Sequence, residues 1–347
     1  MADYRMTEPA LAALAPYGPD LRNGLTSHAP MVVDALAALD RSDAVMPWLD
    51  RYRAGLLPRP DARVSIAADA WQALLGHEER FADWSRFFAD EIGRDGWRPT
   101  LARWVPRLAP GVCASATHGV IRAAHAVRSL CDADTPARRH ELADGLGYWA
   151  AWYQTLPTAT GPSARLRAAE AIARVPVVPP AERRFSGTIV SSLVGLSEFP
   201  PFAEAIGLLD VSGDPSVVLS EVTETFARVF LTNARDVLGA IVFVHAVTSA
   251  SALRTLLPFL PERAVGPALA YTWQTAAALY ATFGGATPAT DPTAPSEANA
   301  TLVDGAIANG DEHAIKFTEA CLREHAIAPS PAYPAAARHA IAILPAA

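Results

Sequence analysis

The chain has 347 residues, 51% of them hydrophobic, a formal net charge of −7 and three cysteines. That is enough apolar material for a sizeable core. A mildly acidic chain without basic clusters argues against nucleic acid and anionic membrane surfaces as main partners. Cys113, Cys131 and Cys321 are odd in number and widely spaced, with no CxxC or zinc spacing. They read as reduced packing residues of a cytoplasmic protein.

Met1 to Pro16 carries Asp3, Arg5 and Glu8 among its apolar residues and lacks the basic and apolar regions of a secretory signal. Helical periodicity then dominates, with apolar residues three or four apart in Pro30–Leu39, Trp71–Ala89, Ala123–Leu130, Arg138–Tyr153, Val218–Leu238 and Ala264–Tyr280. β-Branched residues gather in Val175–Val178 and Thr188–Val194, which leaves room for one small β-hairpin. The apolar run Val237–Val247 is too short to span a bilayer. Val265–Gly285 carries Thr272, Gln274 and Thr275 and reads as a buried helix. Proline-containing loops fall at Leu156–Ser163, Pro176–Arg184 and Thr287–Ser296, the last as a mobile surface segment. With no fixed-period repeat, the expected fold is all-α, a single compact multi-helix bundle over residues 1–347.

Absent motifs narrow the chemistry. There is no GxGxxG after a strand, no GxxxxGK, no GxSxG, no HExxH and no ExxH. Nucleotide-cofactor folds, P-loop enzymes, α/β-hydrolases and helical di-iron proteins are thereby disfavoured. The pair His77 and Glu79 sits in a charged stretch and reads as a solvated helix face.

Nine histidines remain. His77, His140, His325 and His339 adjoin charged residues and read as solvated. His28 opens a helix in TSHAPMVVDAL, where Thr26 or Ser27 is placed to cap and Pro30 suits the first turn. His118 and His125 lie two turns apart in ATHGVIRAAHAV, on one helical face. His245 sits in AIVFVHAV, the most apolar stretch, and a buried imidazole there needs a metal or a hydrogen-bond partner. His313 and Lys316 are three apart in DEHAIKFTEACLREH. Glu312, Lys316, Glu319 and Arg323 share that stripe, so an exposed salt-bridge ladder is the competing reading. Lys316 is the only lysine; every other strong base is arginine. A lysine can serve as a neutral amine where arginine cannot, and chance survival of one surface lysine is the alternative.

In order along the chain, SHAPMVVDALAALD, THGVIRAAHAV, GYWAAWY, FVHAVTSASALRTLLPFL and DEHAIKFTEACLREH resemble the questin oxidase family, related to enzymes of fungal anthraquinone and aflatoxin-type polyketide pathways. The resemblance implies an all-helical oxidoreductase that opens quinone rings, originally described as Baeyer–Villiger oxidation. It also implies mononuclear non-haem Fe(II), with O₂ as co-substrate, held by His28, His118, His245, His313 and Lys316 as its carbamate. His125 stands where relatives often carry an aromatic residue, which leaves it as a substitute or additional ligand. A carbamate forms only from a neutral, desolvated amine, and it would give the iron an anionic oxygen donor among neutral imidazoles.

The expected substrate is a small aromatic or quinone molecule, with Tyr148, Trp152, Tyr271 and Trp273 as pocket aromatics whose plainer role is core packing. Reducing equivalents would come from a substrate hydroquinone or from NAD(P)H, the second without a supporting nucleotide motif. A zinc or other metal-dependent hydrolase with the same ligands and a non-catalytic helical binding protein for aromatic polyketides are the alternatives. Oligomeric state is left open.

Overall fold

A computed structural model describes residues 2–67, 69–159, 164–185, 187–285 and 298–346. The stretch Thr287–Ser296, expected to be a mobile surface segment, lies outside the described residues, as do the last four residues of the Leu156–Ser163 loop. The chain divides into two compact units, Met1–Gln154 with Thr255–Leu260, and Thr155–Arg254 with Pro261–Ala347. As expected for an all-α protein, helices dominate and the described residues hold one small two-stranded sheet.

The first unit contains α1 (Thr7–Leu14), α2 (Ala29–Ala38), α3 (Val45–Tyr52), α4 (Phe81–Asp95), α5 (Trp97–Leu108), α6 (His118–Asp132) and α7 (Pro136–Ala151). On α4, Trp84, Phe88 and Ile92 recur every fourth residue and form a buried stripe. Helix α7 packs closely against both α4 and α6. Small residues permit this. A Cβ on Gly147 would stand 2.8 Å from the Ser85 nitrogen, and one on Gly119 would stand 2.7 Å from the Trp149 Cα. Helices α2 and α6 run side by side in the same sense, because His28 meets His118 at their starts and Asp34 meets His125 two turns on.

The antiparallel strands are β1 (Tyr17–Leu21) and β2 (Leu56–Pro58), with Leu21 opposite Leu56. They lie far from the positions where a hairpin seemed possible. At Thr188 the side chain instead accepts the Ser191 N–H and starts a helix, so a capping hydroxyl outweighs the β-branched run. Trp71–Ala89 also departs from the expected single helix. Gly76 breaks it at φ +78°, and a regular helix begins only at Phe81.

The second unit contains α8 (Ala168–Ile172), α9 (Ile189–Val194), α10 (Pro215–Asn233), α11 (Val237–Leu256), α12 (Glu262–Phe283), α13 (Asn299–Asn309), α14 (Glu312–Ile327) and α15 (Ala332–Ile343). The expected helix Val218–Leu238 is really two, since the chain turns after Asn233 and Asp236 accepts the Gly239 N–H at 2.7 Å to start α11. Helix α15 packs on α10, α13 and α14. Helix α11 continues well past the apolar run that ends at Val247. With its following turn, Val237–Phe259 is long and apolar enough to cross a membrane by length and composition, yet most of its most apolar window is buried inside the protein. Helix α12 is buried along most of its length, as expected for Val265–Gly285. The three cysteines are free.

Gly147→Ala places a methyl group against the α4 backbone. A loss of about 1–3 kcal/mol is expected, read as a lower urea midpoint with an unchanged slope.

Candidate metal site

In the first unit, His28 is itself the residue preceding α2 and its side chain makes no capping bond, while the Ser27 hydroxyl accepts the N–H of Ala29, the first residue of the helix, at 3.4 Å. Its backbone N–H donates to the Tyr52 hydroxyl at 2.9 Å. His118 is the first residue of α6 and follows an unusual turn. Ser115, Ala116 and Thr117 all take left-handed φ values, +46°, +53° and +74°. For non-glycine residues, a β-branched threonine above all, that backbone is strained.

The turn brings the Ser115 carbonyl against His118 Nδ1. A carbonyl only accepts, so Nδ1 carries the proton and Nε2 of the neutral ring carries the lone pair. That Nε2 lies 2.7 Å from His28 Nε2, and the two buried rings meet edge to face. The separation is close to the ~3 Å between neighbouring donors on an ion bound at about 2.1 Å.

In the second unit the same logic recurs on α11. His245 Nδ1 donates to the Ile241 carbonyl of its own helix at 2.6 Å, which again leaves Nε2 with the lone pair. The ring is buried, in a stretch whose neighbours Val242, Phe243 and Ala246 are buried as well. His313, on α14, meets it edge to face with ring centroids 5.4 Å apart. Asp311 starts α14 by accepting the His313 and Ala314 N–H groups, and its Oδ1 lies 3.3 Å from His313 Nδ1.

Lys316 follows one turn later. It is 2% exposed. Among the described residues its Nζ makes no hydrogen bond or ion pair. Burial pushes its amine down to about 7, against the opposing pull of the Glu312 and Asp311 charges. The exposed ladder is therefore not what α14 forms. Glu319 and Arg323 pair at 3.1 Å, while Lys316 faces a dry interior beside buried Phe317.

The remaining candidates fall elsewhere. His125 Nδ1 pairs with Asp34 at 2.7 Å, and Arg128 shares that carboxylate. Tyr148 is buried, stacked on Trp152 with centroids 4.1 Å apart. Trp273 is buried and donates to the Ala205 carbonyl at 2.8 Å, while Tyr271 is half-buried. His77 and His140 are exposed as expected. His325 and His339 are half-buried and bond the Ser330 and Ala234 carbonyls instead.

A cavity of about 120 Å³ in the first unit is lined by Ser27, Arg59, Arg122, Glu141 and Asp144, and one of about 390 Å³ in the second by Arg183, Leu196, Phe199 and Thr282. Sequence reasoning missed Asp311 and Glu312, which with His313 bring ligand-type atoms within 4.8 Å of one another. The signal was the run DEH at a helix start. It also missed the left-handed turn, which no glycine announces.

The amine of Lys316 yields a pH prediction for metal-free protein. Its folded pKa, near 7, lies below the unfolded value near 10.5. Between these values the unfolded chain binds the extra proton, so stability rises with pH by up to about 1.4 kcal/mol per unit. Lys316→Met should remove that slope, seen by urea unfolding at pH 7.5 and 9.5. Equal slopes in both proteins would contradict the burial argument.

No curated protein matches the chain. A family model described as questin oxidase-like matches residues 44–173. The matched stretch holds His118, His125, Tyr148 and Trp152; His28, His245, His313, Lys316, Tyr271 and Trp273 lie outside it. Over residues 44–173 the chain is therefore similar to the questin oxidase-like family, the family that its motifs resemble.

Proposed function

We propose that the protein is a non-haem iron oxygenase that cleaves, or inserts oxygen into, a ring of a quinone or related aromatic polyketide. The ligand set is the one that the family resemblance implies: His28, His118, His245, His313 and Lys316 as its carbamate. One observation carries the reading: the only lysine of the chain is a buried amine that forms no ion pair among the described residues, one helical turn from His313.

The donor chemistry fits a transition ion. His118 and His245 each give the Nδ1 proton to a backbone carbonyl and keep Nε2 as a donor. Where two Nε2 atoms share one proton, as at His28 and His118, that proton must move to His28 Nδ1 or leave before both nitrogens can ligate.

Lys316 supplies the charge that imidazoles lack. Its neutral nitrogen attacks the carbon of CO₂, an N–C bond forms, a proton leaves to solvent, and the amine becomes an anionic oxygen donor. His245, His313 and Lys316 are all buried, which keeps bulk water from the second unit's donors. Iron, when bound, supplies O₂ binding and activation. The chain carries no nucleotide motif, so the electrons are assigned to the substrate, a hydroquinone being the simplest donor.

Protein purified without chelator should contain about one iron per chain and consume O₂ with a hydroxyanthraquinone. Lys316→Arg keeps a long basic side chain but is permanently charged and cannot form a carbamate, and both iron and turnover should fall at least about 100-fold. His28→Ala and His245→Ala, one from each unit, should each lose iron. Zinc-loaded protein without oxygen uptake would replace this reading with a hydrolase. Polyketide binding that survives all three substitutions, with no metal present, would replace it with a binding protein.

A further inference from the structure

The first unit holds a ring of three hydroxyls. The Tyr148 hydroxyl oxygen lies 2.7 Å from Thr26 Oγ1 and 2.7 Å from Ser115 Oγ, and the last two are 3.2 Å apart. Each hydroxyl carries one proton and two acceptor sites, so a closed O–H···O–H···O–H cycle satisfies all three. Burial pushes the phenol upward, and it stays protonated across the working pH range.

What the ring holds is informative. Thr26 stands two residues before His28, and Ser115 stands three before His118. Both stretches are irregular backbone: His28 precedes its helix without a side-chain cap, and His118 follows the left-handed turn. The Ser115 carbonyl is also the acceptor that sets the tautomer of His118. Tyr148 itself sits on regular, tightly packed helix, next to Gly147 and stacked on Trp152.

We propose that Tyr148 is a positioning residue for the His28–His118 pair, its hydroxyl tying the two irregular segments to the rigid helix α7. This role rests on the iron reading for its importance to chemistry, but not for its geometry. Tyr148 is thereby assigned to alignment of the histidines and not to contact with substrate.

Two measurements on Tyr148→Phe test it, since that variant keeps the stacking ring and loses only the hydroxyl. The first is the imidazole ¹H–¹⁵N spectrum of metal-free protein labelled at histidine. Wild type should show His118 as a single tautomer protonated at Nδ1, and the variant a mixture. The second is affinity for Co(II), which should fall about 10–100-fold. Ser115→Ala and Thr26→Val each cut part of the ring and should move both readouts the same way, which decides the matter if Tyr148→Phe does not fold. Tyr333→Phe removes a buried hydroxyl of the second unit, bonded to Thr223, and should move neither. Unchanged spectra in the ring variants overturn the proposal. If wild type takes up no Co(II), the iron reading fails while the spectra still judge Tyr148.

Discussion

A neutral imidazole has one proton, and where that proton goes decides what the other nitrogen can do. At His118 and at His245 it goes to a backbone carbonyl, of Ser115 in one case and of Ile241 in the other. Both carbonyls can only accept, so both rings are fixed in the tautomer that keeps the lone pair on Nε2. Neither assignment needs a carboxylate. The buried amine of Lys316 belongs to the same economy of charge. A fixed carboxylate would cost desolvation at all times, whereas burial holds this side chain towards its uncharged amine form.

The helices deliver these groups by close approach of backbones. Helix α7 carries Gly147 against α4, and α6 carries Gly119 against α7. The parallel run of α2 beside α6 then pairs residues in two layers: the two histidines at the helix starts, and the ion pair of Asp34 with His125 and Arg128 two turns further on. In the second layer the Asp34 carboxylate of α2 takes bonds from both His125 and Arg128 of α6, which fastens the two helices together. His125 illustrates how one helical face can carry two histidines with different roles.

Helical periodicity read most elements correctly, because amphipathic stripes such as Trp84, Phe88 and Ile92 dominate the local sequence. It failed where one residue overrides the stripe: Gly76 with its left-handed φ, and Thr188 with its capping hydroxyl. The burial of His245 was legible from its apolar neighbours. That of Lys316 was not, because Glu312, Glu319 and Arg323 imitate a solvated ladder, and only tertiary packing reveals that Lys316 stands apart from it. The link from Tyr148 to Thr26 and Ser115 spans 122 and 33 residues and leaves no local trace.

The left-handed turn before His118 brings these strands together. Three successive non-glycine residues in that region cost on the order of 1–3 kcal/mol each, and glycine would remove most of the cost. Glycine at 115 would also remove the hydroxyl that meets Tyr148, and glycine at any of the three would widen the range of backbone angles open to the turn. A turn that can relax no longer holds the Ser115 carbonyl against Nδ1, and the lone pair of Nε2 is then no longer assigned. Side chains that dislike the conformation, clamped by a hydroxyl ring that allows little else, make a stiffer mount for an imidazole than an unstrained turn would. The strain is therefore intelligible as the cost of keeping one proton on one nitrogen.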